Sequence, residues 1–171
     1  MSGLNEYLQR CILNKGPIPI SEYMQTCLTH PKFGYYMSKH ILGKEGDFVT
    51  SPEISQMFGE LIGVWVVHKW ELMGKPKQFN LIELGPGRGT LLADLMRVVE
   101  GQQGLIDAVK LYLVELSPKL REIQKAVLSH YNPTWADQLD QIPRGPTLLI
   151  ANEFFDSLPI RQFQRVRAGW H

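Results

Sequence analysis

The sequence predicts an α/β fold in which a parallel sheet follows an N-terminal helical cap. Three short apolar runs, FNLIEL, VKLYLVEL and PTLLIANEFF, are typical of strands, and segments with helical spacing follow the first two. Strands that alternate with helices form crossover units, which give a parallel sheet covered on both faces. Residues 1–75 are therefore assigned to the helical cap, and residues 76–171 to the first half of an open sheet.

The composition is that of a soluble globular protein and argues against several functional classes. Of the 171 residues, 44% are apolar and 20% are charged, which is typical of a domain with a hydrophobic core. The net charge of +1 provides no positive field for nucleic acid. The longest apolar stretch, LIGVWVVHKW, is too short to span a bilayer. Cys11 and Cys27 are too few for a metal cluster or a disulfide framework, so both are expected to be reduced.

The two ends of the sequence predict a location and a size. The N-terminal segment MSGLNEYLQRCILNKG has no continuous apolar core, and its acidic Glu6 argues against a transit peptide. A cytoplasmic protein of bacterial type is expected, with the mitochondrial matrix as the alternative. At the other end, FQRVRAGWH follows a strand-like run without a closing helix. The sequence is therefore expected to be part of a longer protein.

Two short helices are predicted at the N-terminus. Gly16 is expected to end the first, whose apolar side chains recur at helical spacing: Leu4, Tyr7, Leu8, Cys11 and Ile12. After the break PIPI, residues 21–29 are expected to form the second. Residues 30–51 show no lasting periodicity, and an irregular segment of this length is more often functional than filler.

A third, longer helix is predicted over residues 52–73. Ser51 is expected to cap it, and Glu53 in its first turn suits the helix dipole. Gly59 and Gly63 lie four residues apart, which predicts a close approach of a neighbouring backbone. Large apolar side chains are expected to pack along one face of this helix: Ile54, Met57, Phe58, Leu61, Ile62 and Trp65.

The second half of the chain supplies the sheet and its crossover helices. RGTLLADLMRVVE is predicted to form the helix after the first strand, and SPKLREIQKAVLS the helix after the second, begun by Ser117 and Pro118. The link near Trp135 is expected to be irregular. PTLLIANEFF then has the continuous apolar character of a buried strand.

A glycine-rich turn joins the first predicted strand to its helix. A dinucleotide fingerprint, G-x-G-x-x-G, requires a third glycine where this chain has Thr90, and the Gly-Lys-Ser/Thr ending of a phosphate-binding loop does not occur here. The sequence has instead E-x-G-x-G-x-G, formed by Glu83, Gly85, Gly87 and Gly89. A tight turn with no ligand is the structural alternative.

A cofactor without phosphate suits this turn better than a dinucleotide does. A pyrophosphate is repelled by a nearby carboxylate, whereas S-adenosylmethionine (SAM) offers an ammonium, a sulfonium, a carboxylate and an adenosine. Glu83 would suit the cationic end of SAM, directly or through water. The glycines would let the backbone approach the cofactor where a Cβ atom would collide. Arg88 either pairs with the methionine carboxylate or faces solvent, and the sequence leaves both open.

Acidic and polar side chains also follow the other predicted strands. Glu115 ends the second strand and would accept hydrogen bonds from both ribose hydroxyls of an adenosine, although NAD-binding domains share such an acid and a solvated carboxylate is the alternative. Asn152, Glu153 and Asp156 follow the third strand. They are candidates to orient and deprotonate a nitrogen nucleophile, and the alternative is that they line the rim and cap a helix.

Four blocks of the sequence together resemble the MidA family of SAM-dependent methyltransferases, which includes bacterial proteins and the mitochondrial factor for assembly of respiratory complex I. The blocks are GYYMSKHILGKEGDFVTSPEISQMFGELIGVW, LIELGPGRGTLLADLMR, VELSPKLREIQ and NEFFDSLPIRQF. The resemblance covers the chain from about Gly16 to its end. It implies a class I methyltransferase fold, a Rossmann-like parallel sheet that is truncated here, because family members continue further.

The resemblance also implies a cofactor, a substrate and site residues. The cofactor is SAM, and the substrate is a protein arginine, in the mitochondrial member on a complex I subunit. Glu83, Gly85, Gly87 and Glu115 take cofactor roles. A further block is expected to close over the cofactor: Gly46, Asp47, Phe48, Thr50, Ser51, Pro52, Glu53 and Ser55.

Two other functions compete with this prediction. A non-catalytic assembly or interaction module would retain the same fold. An NAD-dependent oxidoreductase is disfavoured by Thr90.

Overall fold

The computed structural model describes residues 3–37, 50–167 and 169–170, which fall into two compact units. The helical unit comprises Met1–Ile41 together with Phe155–His171. The sheet unit comprises Leu42–Phe154. Both cysteines, Cys11 and Cys27, lie in the helical unit as free thiols.

The helical unit begins with the two predicted helices, α1 (Gly3–Lys15) and α2 (Ile20–Thr29). Gly16 ends α1 as predicted. Its φ angle of 81° lies in the left-handed region that glycine tolerates, and its N–H donates to the Ile12 carbonyl at 2.8 Å. No helix among the described residues is long and apolar enough to cross a membrane.

The predicted third helix is two helices, α3 (Ser51–Ile54) and α4 (Gln56–Leu72), so the prediction of one continuous helix is wrong. Ser55 separates them in an extended conformation, with φ −148° and ψ 122°. Serine readily leaves helical geometry because its side chain competes for backbone hydrogen bonds. The cap also differs, since Thr50 rather than Ser51 precedes α3 and its carbonyl accepts from the Glu53 N–H at 2.9 Å.

The two glycines of α4 confirm the predicted close approach to the next helix, α5 (Thr90–Glu100). A Cβ atom on Gly59 would lie 2.5 Å from the Asp94 Cβ, and one on Gly63 would lie 2.8 Å from the Leu95 carbonyl oxygen. Val66 and Trp70 continue this buried side of α4.

The predicted apolar face of α4 is therefore wrong in part. Phe58 and Ile62 pack against the core, but Met57, Leu61 and Trp65 of α4 are exposed, and so is Ile54, which belongs to α3. The physical reason is that backbone contact through the glycines turns the bulkier side of the helix outward.

The sheet has four parallel strands in the order β3-β2-β1-β4. Its members are β1 (Phe79–Leu84), β2 (Val109–Val114), β3 (Thr134–Ala136) and β4 (Thr147–Ile150). All six residues of the central β1 are buried. Because the strands are parallel, their carboxyl ends meet at one edge of the sheet.

The predicted irregular link near Trp135 contains β3, which corrects that prediction. A strand of three residues is too short to show a periodicity in the sequence. It adds to the sheet because the Tyr112–Val114 segment of β2 pairs with it.

Short helices complete the crossovers: α6 (Leu105–Ala108) and α7 (Pro118–Val127). Ser117 caps α7 as predicted, and its Oγ accepts from the Leu120 N–H at 3.4 Å. In the helical unit, two strands of two residues each pair antiparallel near the end of the chain, β5 (Arg165–Val166) and β6 (Gly169–Trp170).

Candidate functional site

A loop of three left-handed glycines connects β1 to α5 at the carboxyl edge of the sheet. In this glycine loop, residues 85–89, the φ angles of Gly85, Gly87 and Gly89 are 61°, 55° and 84°. Side chains rarely adopt such angles, so the backbone path requires glycine at these positions. The N–H of Gly85 donates to the Val114 carbonyl at 3.0 Å, which ties the loop to the end of β2. Arg88 is exposed.

The segment after β4 contacts the glycine loop. A Cβ atom on Gly85 would lie 2.6 Å from Cδ2 of the Phe154 ring, so the ring occupies the space that any larger residue would need. Gly85 is thus required twice, once for its φ angle and once for this packing. The structure thereby brings together two of the sequence blocks that were singled out separately.

Glu83 is a buried carboxyl group two residues before the loop. It is 3% exposed, and its Oε2 has no hydrogen-bond partner among the residues that the structure describes. Burial raises the pKa of Glu83 to about 8. A buried carboxylate without a partner is costly, so a cationic donor beside Glu83 would be stabilised by it.

The N-terminus of α5 is tied to α3. The Oγ1 of Thr90 donates to the Oε1 of Glu53 at 2.7 Å. Thr90, the residue that departs from the dinucleotide fingerprint, therefore has a partner 37 positions earlier in the chain. Glu53 was assigned to the site only by resemblance, and this contact connects it to the glycine loop. Gly46 and Asp47, with Phe48 of the same block, lie outside the described residues.

Glu115 is held by two hydrogen bonds directly after β2. Its Oε1 accepts from the Ser117 N–H at 2.8 Å, and its Oε2 accepts from Nε2 of Gln124 at 3.3 Å. Burial raises the pKa of Glu115, and these hydrogen bonds oppose the rise because they favour the charged form. The side chain is thus buried and oriented rather than solvated.

Gln124 is the main site residue that sequence reasoning missed. Its side chain is fully buried on α7, where it contacts the glycine loop and Glu115. A signal was present in the sequence, since Leu120 and Leu128 lie four residues on either side and mark this position as part of an apolar helix face. A polar residue on such a face needs buried partners.

Arg121 was also missed, and it joins the ends of β2 and β3. Its guanidinium donates to the carbonyl of Glu115 and to the carbonyl of Ala136, the latter at 3.0 Å. It also pairs with the carboxylate of Asp137 at 2.6 Å. This contact fixes the backbone from which the Glu115 side chain extends.

The three predicted catalytic residues lie at and beyond the end of β4. Asn152 is half-buried, and Glu153 is exposed with a φ angle of 48°, which is unusual for a residue other than glycine. Such backbone strain is concentrated at functional sites. Asp156 lies in a 3-10 turn over Phe155–Ser157, which belongs to the helical unit. The catalytic role of all three stays a prediction.

Comparison with known proteins identifies the family. Residues 61–171 match the model of the family described as "Putative S-adenosyl-L-methionine-dependent methyltransferase". The chain belongs to this family. The membership predicted from the four sequence blocks is thereby confirmed.

Relatives in animals are similar along nearly the whole chain. A protein of Xenopus laevis named protein arginine methyltransferase NDUFAF7, mitochondrial, is 45% identical over 93% of this chain. Its Drosophila melanogaster homologue is 42% identical over 98%, and the Homo sapiens protein is 39% identical over 96%. The chain spans only 42–43% of the length of these relatives.

Two solved structures from Burkholderia thailandensis share the fold. A COG1565 superfamily member bound to S-adenosyl-homocysteine superposes with a TM-score of 0.78 at 28% identity, over 98% of this chain and 44% of that one. A second COG1565 protein gives a TM-score of 0.71 at 29% identity, over 98% and 42%. These matches confirm the predicted α/β methyltransferase fold.

Proposed function

We propose that this chain is the cofactor-binding part of a SAM-dependent methyltransferase. The observation that carries the proposal is Glu83, a buried carboxyl group with an unpartnered oxygen, next to three left-handed glycines. This arrangement fits a ligand that brings a cationic donor and lies against bare backbone. The proposal is further supported by the family membership and by the structural relative that binds S-adenosyl-homocysteine.

Each part of the site has a role toward this cofactor. Glu83 accepts from the ammonium group, directly or through water, and Gly85, Gly87 and Gly89 admit the cofactor close to the backbone. Glu115 accepts from the ribose hydroxyls. Arg88 is free of the core and available to the methionine carboxylate.

Methyl transfer needs a nucleophile on the other side of the sulfonium. Bound SAM supplies an electrophilic methyl group. Asn152 and Glu153, which follow β4 at the ligand edge of the sheet, would orient a guanidinium nitrogen, and the carboxylate of Glu153 or of Asp156 would accept the proton that this nitrogen loses on methylation.

The methyl acceptor is a protein arginine, on a subunit of respiratory complex I. This part of the proposal follows from the resemblance to the MidA family and from relatives that are named protein arginine methyltransferases. Because those relatives are also named mitochondrial, the mitochondrial matrix is favoured over the bacterial cytoplasm.

Calorimetry provides the direct test of cofactor choice. S-adenosylhomocysteine is expected to bind the chain, and NADH is not. Glu115→Ala should weaken the binding of S-adenosylhomocysteine by ~1–3 kcal/mol, because charge-assisted hydrogen bonds to the ribose are lost. Glu122→Ala is the matched control, since that carboxylate lies exposed on α7 and its ion pair among the described residues is with a surface lysine, Lys125. Binding of NADH alone would overturn the proposal.

The catalytic assignment is tested in the longer protein that contains this segment. Glu153→Gln is expected to lower the turnover of methyl transfer by about 10²–10⁴, the usual contribution of an acid–base group, with little effect on cofactor affinity. Radiolabelled methyl transfer measures the first quantity and calorimetry the second. Unchanged turnover would remove Glu153 from the mechanism. A wild-type protein that binds S-adenosylhomocysteine but transfers no methyl group would be the non-catalytic module that retains the fold.

A further inference from the structure

The amide of Gln124 links two parts of the site that belong to different crossovers. Its Nε2 donates to the carbonyl oxygen of Gly87 at 2.7 Å and to Oε2 of Glu115 at 3.3 Å. Its Oε1 accepts from the indole N–H of Trp135 at 2.8 Å. The side chain is 0% exposed, so water does not compete for these bonds.

Trp135 fixes the orientation of this amide. An indole N–H can only donate, so the oxygen of the Gln124 amide must face it. The nitrogen must then face Gly87 and Glu115, both of which present acceptors. The three contacts are thus mutually consistent, and rotating the amide would break all of them.

The contact with Gly87 also sets the direction of the loop. In a planar trans peptide the carbonyl and the following N–H point to opposite sides. Because the Gly87 carbonyl is directed at Gln124, the N–H of Arg88 points away from it. An apolar residue at position 124 would fill the same space beside Leu128 without imposing this direction.

We propose that Gln124 is a positioning residue that holds the glycine loop and the Glu115 carboxylate in register, so that both ends of one cofactor are bound together. Trp135 supports it by locking the amide. The assignment rests on the proposed function for the identity of the ligand, but the hydrogen bonds of Gln124 do not depend on that function.

The first arm of the test needs no ligand. In Gln124→Met, which keeps the length and apolar fit of the side chain, the backbone amides of Gly85 and Gly89 are expected to exchange hydrogen about tenfold faster or more. Both are hydrogen-bonded, to Val114 and Pro86, so their protection reports on the loop. Gln103→Met is the matched control, because among the described residues the side chain of Gln103 forms an exposed hydrogen bond with Asp107 and none with the site.

The second arm uses two probes, S-adenosylhomocysteine and 5′-methylthioadenosine, which lacks the amino-acid end. Gln124→Met should weaken the binding of both probes by about tenfold, since the hydrogen bond to the buried Glu115 carboxylate is lost. The decisive measurement is a double-mutant cycle. In the Gln124→Met background, Glu115→Ala should weaken the binding of 5′-methylthioadenosine much less than it does in the wild-type chain, because Glu115 is already misplaced.

A milder variant protects the test against loss of folding. Trp135→Phe keeps an aromatic ring in place and removes the indole N–H. It is therefore expected to lower amide protection and probe affinity in the same direction as Gln124→Met, but by less. Unchanged exchange of Gly85 and Gly89 in a folded Gln124→Met chain, or strictly additive losses with Glu115→Ala, would overturn the positioning role. A different result is faster exchange in Gln124→Met together with a wild-type chain that binds neither probe. That result would refute the proposed function and leave the positioning role of Gln124 intact.

Discussion

Gly85→Ala is expected to destabilise the sheet unit by about 2–5 kcal/mol and to abolish binding of S-adenosylhomocysteine. A side chain at a φ angle of 61° costs about 1–2 kcal/mol. The new Cβ would also lie 2.6 Å from the Phe154 ring, and such overpacking costs a further 1–3 kcal/mol or so. The ring or the loop must then move, and both border the ligand edge of the sheet. Urea denaturation and calorimetry measure the two effects.

A second glycine separates the two causes. Gly74 has a φ angle of 81° with open space around it, so Gly74→Ala carries the backbone cost alone and should leave cofactor affinity unchanged. Phe154→Ala in the Gly85→Ala background should restore part of the stability, because it removes the collision. Equal losses from Gly85→Ala and Gly74→Ala would show that the Phe154 contact is unimportant.

The Glu83 carboxyl is expected to make the chain less stable as pH rises from about 4.5 to about 8. Burial raises the pKa of Glu83 from 4.5 to about 8, so the folded chain retains a proton that the unfolded chain has released. Stability falls with pH wherever the folded state binds more protons, with a slope of up to about 1.4 kcal/mol per pH unit for one group. The contribution is complete below pH 4.5 and is lost above pH 8.

Glu83→Gln should remove this dependence, because its neutral amide matches the protonated carboxyl in shape. The free energy of unfolding, measured in urea at pH 5, 6, 7 and 8, should fall less steeply for the variant than for the wild-type chain. Glu115→Gln is the comparison, since burial raises the pKa of Glu115 as well but hydrogen bonds oppose the rise. Parallel pH profiles of wild type and Glu83→Gln would contradict the buried, unpartnered state of this group.

Glu83→Gln should also weaken the binding of the cofactor at neutral pH, because an amide oxygen attracts an ammonium group less than a carboxylate does. The fall in wild-type stability with rising pH and the loss of cofactor affinity in Glu83→Gln have one origin. A charged carboxylate at position 83 is costly to bury on its own, and a bound cation would offset that cost.

Sequence reasoning succeeded where the signal is local. The run from β1 through the glycine loop to α5 could be placed from its own residues, and so could the Ser117 cap and the glycine contact of α4. In each case neighbouring positions alone determine the geometry.

It failed where distant parts of the chain decide. Met57 and Leu61 face outward because the opposite side of α4 contacts α5 through Gly59 and Gly63. The strand β3 forms because β2 offers an edge with which it can pair. The buried Gln124 takes its partners from the glycine loop, from Glu115 directly after β2 and from β3, and no single window of sequence contains them. Propensity and periodicity carry no information about such partners.

The division into two units has a consequence for folding during synthesis. The sheet unit is continuous in sequence from Leu42 to Phe154, whereas the helical unit is assembled from segments on either side of it. Within the helical unit, Ile20 at the start of α2 lines a cleft together with Phe163, more than 100 residues later. On the ribosome, where structure forms as the sequence emerges, all residues of Leu42–Phe154 appear before those of Phe155–His171. The early helices can therefore complete their contacts with residues 161–163 only after the residues of the sheet unit have been made.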